Sequence, residues 1–241
     1  MVNNPEASVP EKIHVIIVAA GTGNRFGGNL PKQFAILAGK PVLMHSIEAF
    51  SSLGCNSDIV LVLSETEIER WHRLCSEFGF ESPRIVCGGD TRTASVRNAL
   101  AALDIAGDSD IVMIHDGARP LVDRQTIDAV LSKLYEPDVM AAIPSTPITD
   151  SLMTAVAEDS SAVDRSSLVA VQTPQGFKAS VLVKAYACMS AEAAMTDDAS
   201  AVSHYAGASI HLVEGSRTNI KITYPSDIRI AEVLLAEKDK R

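Results

Sequence analysis

The sequence predicts an α/β fold in which a mostly parallel, twisted sheet carries helices on both faces. Up to Pro147, short runs of β-branched residues alternate with helix-like stretches, which is the pattern of strand–helix–strand units. The first run, Ile13–Ala20, is rich in β-branched residues and apolar except for His14, as expected of a parallel strand buried on both faces. The 241 residues are 46% hydrophobic, enough for one large core, so we predict a single domain, residues 1–241.

The remaining elements follow from the same alternation. Four more strands are expected at Asp58–Leu63, Arg84–Cys87, Asp110–His115 and Val139–Pro144. The helix-like stretches lie near Val42–Leu53, Glu65–Phe78, Thr91–Leu103 and Arg124–Tyr135. Late in the chain, two strands are expected at Ser209–Val213 and Asn219–Thr223. A closing helix is expected from Pro225, since Pro-Ser-Asp is a favourable helix start.

The pattern changes between about residues 146 and 174. Two extended pieces, Asp150–Ala157 and Ser167–Thr173, flank the polar stretch Glu158–Arg165, and we interpret this segment as a protruding β-arm. A lone two-stranded ribbon is marginally stable in water. The arm is therefore expected to pack against a second copy of the chain in a two-fold homodimer. The alternative is a monomer whose ribbon folds back on its own sheet.

Composition excludes several classes of protein. The formal net charge is −9, whereas nucleic-acid binders usually carry a basic excess. No apolar run reaches the roughly 18–20 residues that span a bilayer, and the N-terminus lacks the apolar region of a signal peptide. The four cysteines form no C-x-x-C pair and are expected to be reduced and mostly buried. We therefore expect a cytoplasmic protein that binds neither nucleic acid nor membrane.

A glycine-rich turn follows the first strand directly, in the sequence AAGTGNRFGG. Glycines at the carboxyl end of a parallel strand allow backbone N–H groups to approach phosphate oxygens. The turn matches neither the dinucleotide fingerprint, since Phe26 stands where glycine is needed, nor a Walker A loop. Arg25 and Lys32 lie close by and suit a triphosphate. The alternatives are a plain structural turn and two ordinary surface cations.

Two further motifs end predicted strands or begin helices. In HDGARP, Asp116 directly follows a buried strand, where a carboxylate can hold Mg²⁺ on a triphosphate; capping of the next turn is the alternative. His115 is interpreted as a structural histidine. In GGDTRTAS, the paired glycines indicate close approach of a ligand, although Asp90 or Thr91 could serve only as a helix N-cap.

Six motif regions in order give the sequence a specific likeness. They are AAGTGNRFG with LPKQF, GGDTRTASV, HDGARP, TPQGF, TDDASAV and EGSRTNIKIT. The series resembles the 2-C-methyl-D-erythritol 4-phosphate cytidylyltransferase family of the non-mevalonate isoprenoid pathway, over about Ile13 to Leu235. This resemblance implies a Rossmann-like fold, CTP and a polyol phosphate as substrates, Mg²⁺ as cofactor, and a homodimer formed through the arm.

The resemblance also implies individual roles. The residues expected to bind CTP are Ala19, Ala20, Gly21, Gly23, Gly89, Asp90, Ser95 and Asp116. Asp116 is also the expected metal ligand. The catalytic cations are Arg25, Lys32 and Lys221. The residues expected to bind the polyol phosphate are Arg119, Ser151, Arg165, Thr196 and Lys221, with Arg165 reaching the neighbouring subunit's site.

The implied reaction needs no protein nucleophile, because a phosphate oxygen of the acceptor is already ionised and attacks the α-phosphorus of CTP. Cations and Mg²⁺ would offset the repulsion between the two polyanions. Two alternative functions remain. The chain could be a ribitol-5-phosphate cytidylyltransferase, which belongs to a related family, or a nucleotide-binding module without catalytic activity.

Overall fold

The structure, a computed structural model, describes residues 12–21, 26–27, 30–54, 56–155, 159–190, 195 and 197–238. Twelve strands lie in this part of the chain. They are β1 Ile13–Val18, β2 Ile36–Leu37, β3 Lys40–Pro41, β4 Ser57–Leu63, β5 Arg84–Cys87, β6 Ile111–Asp116, β7 Ala141–Pro147, β8 Leu152–Met153, β9 Ala162–Val163, β10 Val169–Val171, β11 Gln175–Lys178 and β12 His211–Glu214.

Seven α-helices lie in the same described ranges. They are α1 Val42–Glu48, α2 Glu65–Phe78, α3 Arg92–Ala102, α4 Arg124–Leu134, α5 Ala179–Cys188, α6 Asp198–Ala201 and α7 Ser226–Lys238. A π-helical turn, Val202–Ala206, continues α6. Short 3-10 turns occur at Lys32–Phe34, Ser51–Leu53 and Arg165–Ser167.

The main sheet has eight strands and runs β10-β7-β11-β6-β1-β4-β5, with β12 also paired to β7. The pairs β1–β4, β1–β6, β4–β5 and β7–β12 are parallel, whereas β10 and β11 run antiparallel to their neighbours. Val18 lies opposite Val62 and Asp116. The carboxyl ends of β1, β4 and β6 therefore finish level with one another at a single edge.

Helices cover both faces of the sheet because β1 is apolar on both sides. Val15 and Ile17 pack into a cluster that includes residues of α1, α2 and α4. Ile16 points the other way, into a cluster with residues of α3, α5 and α6. All three side chains are fully buried, and each such burial stabilises the fold by about 1.5–3 kcal/mol. The predicted α/β class with helices on both faces is confirmed.

Most predicted elements occur within a few residues of their expected bounds, and α2 matches its prediction. The predicted helix Val42–Leu53 is shorter, because α1 ends at Glu48 and Phe50 turns its ring into the core. The strand predicted at Asn219–Thr223 is wrong. Ile222 donates one backbone hydrogen bond to the Ala118 carbonyl, and no ladder forms in this described segment.

The arm differs from its prediction in how its pieces pair. β8 pairs with β9, which falls inside the stretch expected to be an unpaired polar connection. The second predicted piece, around β10, returns to the main sheet beside β7. β11 was not predicted as a strand at all. It inserts antiparallel between β6 and β7, because a pairing between distant segments carries little local signal.

Two composition-based expectations have different outcomes. Cys75 is buried, but Cys87 and Cys188 are exposed, so burial was wrongly predicted for those two. Within the described residues, we find no helix that is both long and apolar enough to cross a membrane.

Candidate active site

Three loops meet at the edge where the parallel strands end, following β1, β5 and β6. Together with the turn at Lys32, they line a cleft of about 320 Å³, within the size range of small-molecule sites. The lining residues are Val18, Ala19, Ala20, Gly21, Lys32, Gln33, Gly89, Asp90, Thr91, Arg92, Ser95, Asp116, Ala118 and Lys221. The open end of a parallel sheet is where α/β proteins place their ligands.

The turn after β1 is held by the side chain of Gln33. This buried amide donates to the carbonyl of Ala19 at 2.8 Å and to that of Gly21 at 3.3 Å. The backbone N–H of Ala19 in turn donates to the Val62 carbonyl at 2.9 Å. Gln33 was not predicted as a site residue, although it directly follows Lys32 in the LPKQF motif. Its two hydrogen bonds fix the start of the turn, from Ala19 to Gly21.

Two glycines allow the loops to pack together. A Cβ atom on Gly88 would lie 2.6 Å from the Cβ of Ala20, and one on Gly117 would lie 3.0 Å from the Cβ of Ala19. Such distances are too short for any larger residue without movement of the loops. At Gly88, the close approach that we predicted from the glycine pair is to the neighbouring loop.

The loop before α3 is closed by two hydroxyl groups. Thr91 is the N-cap of α3, and its Oγ1 accepts from the Ala94 N–H at 3.0 Å. The Ser95 hydroxyl lies 3.1 Å from the backbone nitrogen of Gly89, which donates to it. Asp90 is exposed and lines the cleft. Of the two N-cap candidates, Thr91 is therefore correct, and Asp90 remains available to a ligand.

Asp116 is the most strongly perturbed carboxyl of the cleft. Its Oδ2 lies 2.8 Å from Nζ of Lys221 and 3.5 Å from Nε of Arg119. Burial alone would raise the pKa of this carboxyl, but the positive charges of Lys221, Arg92 and Arg119 outweigh burial and hold the pKa far below its usual value. Asp116 is thus ionised at neutral pH and draws cations from three chain segments to one point.

Arg119 supports this arrangement from below the cleft. Its side chain is only 12% exposed, and its Nη1 donates to the Asn219 carbonyl at 2.7 Å. The Asn219 side chain donates to the Thr173 carbonyl at 2.9 Å. These contacts hold the segment that carries Lys221 against the end of β6. Arg119 does not line the cleft among the residues described, so its contact with a substrate stays a prediction.

His115 is a structural histidine, as the sequence indicated. It is fully buried, and burial lowers its pKa to about 4, so the ring is neutral. Its Nδ1 lies 3.0 Å from the Thr173 hydroxyl, and its Nε2 lies 3.1 Å from the Arg119 carbonyl. The Thr173 hydroxyl also accepts from the backbone N–H of Asp116 at 3.1 Å. The histidine therefore fixes the backbone around Asp116 rather than serving as a base.

Arg92 is a cleft residue that sequence reasoning missed. It is the first residue of α3, lines the cleft, and forms a two-point ion pair with the buried Asp198. Both residues stand inside motifs that the sequence displays, GGDTRTAS and TDDASAV. The available signal was an arginine at a helix start together with a paired acidic dipeptide, but nothing local connects the two.

Apart from Arg119, which does not line the cleft, the predicted site residues fall into three groups. Those in the cleft are Ala19, Ala20, Gly21, Lys32, Gly89, Asp90, Ser95, Asp116 and Lys221. Ser151 and Arg165 lie on the arm, both exposed, and the Arg165 guanidinium donates to the Thr149 carbonyl. Gly23, Arg25 and Thr196 lie outside the described residues. The structure thus brings together most of the predicted nucleotide site, while the two arm residues do not line the cleft.

Known proteins resemble the chain over nearly its whole length. The sequence model of a family described as IspD, 2-C-methyl-D-erythritol 4-phosphate cytidylyltransferase, matches residues 13–237. The enzyme of that name from Porphyromonas gingivalis is 42% identical over 227 residues, covering 93% of this chain and 98% of the relative. The enzyme of the same name from Bacteroides thetaiotaomicron is 41% identical, and the alignment covers 93% of this chain and 100% of the relative.

Solved structures agree with the sequence relatives. The crystal structure of 2-C-methyl-D-erythritol 4-phosphate cytidylyltransferase from Thermus thermophilus superimposes with a TM-score of 0.72 at 31% identity. It covers 93% of this chain and 99% of that one. A 4-diphosphocytidyl-2C-methyl-D-erythritol synthase structure gives a TM-score of 0.77 at 30% identity, with 94% and 100% covered. The likeness therefore extends from sequence to the whole fold.

Proposed function

Because this chain belongs to the 2-C-methyl-D-erythritol 4-phosphate cytidylyltransferase family, we propose that its cleft binds CTP and joins it to that polyol phosphate. The resemblance drawn from the six motif regions is confirmed, and with it the enzyme class: the chain is a nucleotidyltransferase. It transfers CMP from CTP to 2-C-methyl-D-erythritol 4-phosphate in isoprenoid precursor synthesis, with release of pyrophosphate.

The observation that carries the proposal is the charge arrangement of the cleft. Lys32, Arg92 and Lys221 converge from three separate segments on one cleft, in a protein whose net charge is −9. Asp116 anchors Lys221 at 2.8 Å. A concentration of cations around glycine-rich backbone at the end of a parallel sheet fits a triphosphate. Arg25 is expected to add a fourth cation.

Transfer proceeds by direct displacement at the α-phosphorus of CTP. A phosphate oxygen of the acceptor forms the new P–O bond, the bond to the bridging oxygen breaks, and pyrophosphate leaves with that electron pair. The acceptor needs no general base, because a phosphate monoester with a second pKa of about 6 is already ionised at neutral pH. This agrees with the neutral, fully hydrogen-bonded state of His115.

The cations of the cleft lower the barrier in two ways. They offset repulsion between two anionic substrates, and they stabilise the charge that grows on the leaving pyrophosphate. Lys32 presents a compact ammonium beside the turn, whereas Arg92 offers a planar fork of donors. Because Asp198 holds Arg92 and Asp116 holds Lys221, these two charges need little reorganisation during the reaction.

Asp116 fits a magnesium ion that binds together with the nucleotide. Mg²⁺ prefers oxygen ligands and is commonly held by one or two carboxylates plus substrate phosphates. Asp116 supplies an ionised carboxylate at the end of β6, and both Lys221 and Arg119 approach it through Oδ2. When bound, the ion would neutralise phosphate charge in the transition state. We propose Asp116 as its protein ligand.

We also propose that the enzyme is a homodimer formed through the arm. β8 and β9 are two residues each, too short to be stable alone. Apolar side chains of β10, β12 and the residue before β10 are exposed as well, at Leu168, Val169, Val171 and Leu212. Exposed apolar side chains of this kind mark interaction sites. A two-fold contact would bury these side chains on both copies of the chain. Arg165 would then reach the neighbouring active site.

Subunit mixing tests this arrangement. Arg165→Ala subunits and Lys32→Ala subunits are each expected to be nearly inactive alone. After exchange, one site of every mixed dimer contains both residues, so roughly a quarter of wild-type activity should return at equal amounts, since half of the dimers are mixed. Activity is followed by pyrophosphate release, and exchange by native mass spectrometry. Exchange without any recovery would show that Arg165 does not act across the interface.

A cytoplasmic location completes the proposal. The substrates of the enzyme include a nucleoside triphosphate. The described cysteines, Cys75, Cys87 and Cys188, form no disulfide, as is usual in a reducing compartment.

Turnover tests the function itself. The enzyme with CTP, Mg²⁺ and 2-C-methyl-D-erythritol 4-phosphate should give pyrophosphate and the cytidylylated polyol in equal amounts. A nucleotide-binding module without catalytic activity would bind CTP and release nothing.

A further inference from the structure

A fully buried acidic side chain lies directly behind the cleft. Asp198, the first residue of α6, has 0% of its side chain exposed. Its Oδ1 and Oδ2 accept hydrogen bonds from Nη1 and Nη2 of Arg92 at 2.9 and 2.6 Å. The Tyr186 hydroxyl donates to Oδ1 at 2.6 Å. A bidentate contact of this kind fixes both the position and the plane of a guanidinium.

The guanidinium that Asp198 holds also faces the cleft. Arg92 keeps 27% of its side chain exposed, lines the cleft, and interacts electrostatically with Asp116. A buried ion pair contributes little net stability, because desolvation of the two charges offsets their attraction. Stability alone therefore does not account for an acidic residue at this position, whereas orientation of a cleft cation does.

Asp198 also connects two parts of the site. It lies at the start of α6, two residues after Thr196 of the predicted acceptor segment. The sheet holds this start independently, because Gln175 donates to Asp197 Oδ2 at 3.1 Å and accepts from the Ala199 N–H at 3.0 Å. The bond to Arg92 adds a link to α3, the helix that begins immediately after the nucleotide loop. The ion pair between Arg92 and Asp198 thus joins the start of α3 to the start of α6.

We propose that Asp198 is a positioning residue for the transfer reaction: it holds the Arg92 guanidinium between the loop that precedes α3 and the start of α6, directed at the phosphates that meet in the cleft. The proposal rests on the CTP-binding role given to this cleft above. Without Asp198, the Arg92 charge can turn toward Asp116 and stabilises less of the charge that develops during transfer. Tyr186 supports the carboxylate and has the smaller role.

The test compares Asp198→Asn, Arg92→Lys and the double variant. Asparagine keeps the shape of Asp198 but removes its charge, and lysine keeps the charge of Arg92 but removes its planar fork. Each single variant should lower kcat on the order of ten- to a hundredfold, the range typical of groups that orient a site residue. The KM for CTP should change little. The double variant should be no worse than the more impaired single variant, because both act through one contact.

Arg97→Lys is the matched control. Arg97 lies on the same helix and donates to the Met189 carbonyl at 3.1 Å, but it does not line the cleft. Its kcat should equal that of the wild type. Urea unfolding of every variant separates a loss of folded protein from a loss of turnover per folded molecule.

Two results would overturn the proposal. One is a wild-type kcat in folded Asp198→Asn enzyme, and the other is a double variant whose kcat loss is the product of two independent losses. If Asp198→Asn does not fold, Arg92→Lys decides by itself, since an unchanged kcat rejects the proposal and a reduced kcat supports it. A wild-type enzyme that binds CTP but transfers nothing would instead reject the proposed function.

Discussion

Replacing Lys32 with alanine is expected to lower kcat by on the order of 10²–10³, equivalent to about 3–4 kcal/mol of transition-state stabilisation. The stability of the fold should hardly change. Lys32 lies at the start of a 3-10 turn and lines the cleft, while the neighbouring Gln33 and Phe34 are buried and anchor the turn. The ammonium group can therefore be removed without loss of the turn that carries it.

Steady-state kinetics and urea unfolding of Lys32→Ala measure the two effects separately. Lys40→Ala is a suitable control, because Lys40 forms an ion pair with Glu48 on the surface, and such pairs contribute little to stability. Its turnover number should match that of the wild type. An unchanged turnover number in Lys32→Ala would remove this lysine from the mechanism.

Replacing Asp116 with asparagine is expected to reduce kcat by about 10²–10³ and to raise the Mg²⁺ concentration at which the rate is half-maximal. The variant loses the proposed metal ligand. It also leaves Lys221 and Arg119 without the carboxylate that holds them at 2.8 and 3.5 Å. Titration of the initial rate with Mg²⁺ measures the first effect, since the wild type should saturate at a lower concentration than the variant.

The same substitution has a defined pH signature in stability. The folded-state pKa of Asp116 is lowered, so its carboxylate stabilises the fold at pH values above the unfolded-state pKa, about 3.9. This contribution is lost as the pH falls through that value toward the folded-state pKa. The wild type should therefore exceed Asp116→Asn in unfolding free energy near neutral pH, and the difference should shrink below about pH 4.

Asp128→Asn provides the control for both measurements. Asp128 pairs with Arg124 on α4, and both side chains are about half exposed. This variant should keep the wild-type rate, Mg²⁺ dependence and pH profile of stability. If Asp116→Asn behaved like Asp128→Asn in all three, neither the metal-ligand role nor the anchoring role of Asp116 would stand.

The parallel half of the sheet could be predicted because its signal is local. β1, β4 and β6 are built around the apolar runs Val15–Val18, Ile59–Leu63 and Ile111–Ile114, a pattern that burial on both faces requires. The antiparallel strand β11 had no such signal, since its place between β6 and β7 depends on residues distant in the sequence. The same reason explains the arm, where β9 lies in a polar stretch and pairs with β8 only through the fold.

The site shows the same division between local and long-range information. Lys32, Asp90 and Asp116 stand in recognisable motifs, and the structure places all three in one cleft. The contact between Arg92 and Asp198 joins residues 106 positions apart, and no periodicity or spacing indicates it. The glycine pair in the sequence indicates a ligand, whereas the missing side chain of Gly88 makes room for Ala20 of the adjoining loop.

The central claim, that this cleft joins CTP to 2-C-methyl-D-erythritol 4-phosphate, is tested most directly by a comparison of acceptors. Pyrophosphate release is measured with CTP and Mg²⁺ at varied concentrations of 2-C-methyl-D-erythritol 4-phosphate and, separately, of ribitol 5-phosphate. We predict a much higher kcat/KM for 2-C-methyl-D-erythritol 4-phosphate than for ribitol 5-phosphate. In the Lys32→Ala enzyme, this high kcat/KM should be lost. A higher kcat/KM for ribitol 5-phosphate would contradict the assignment.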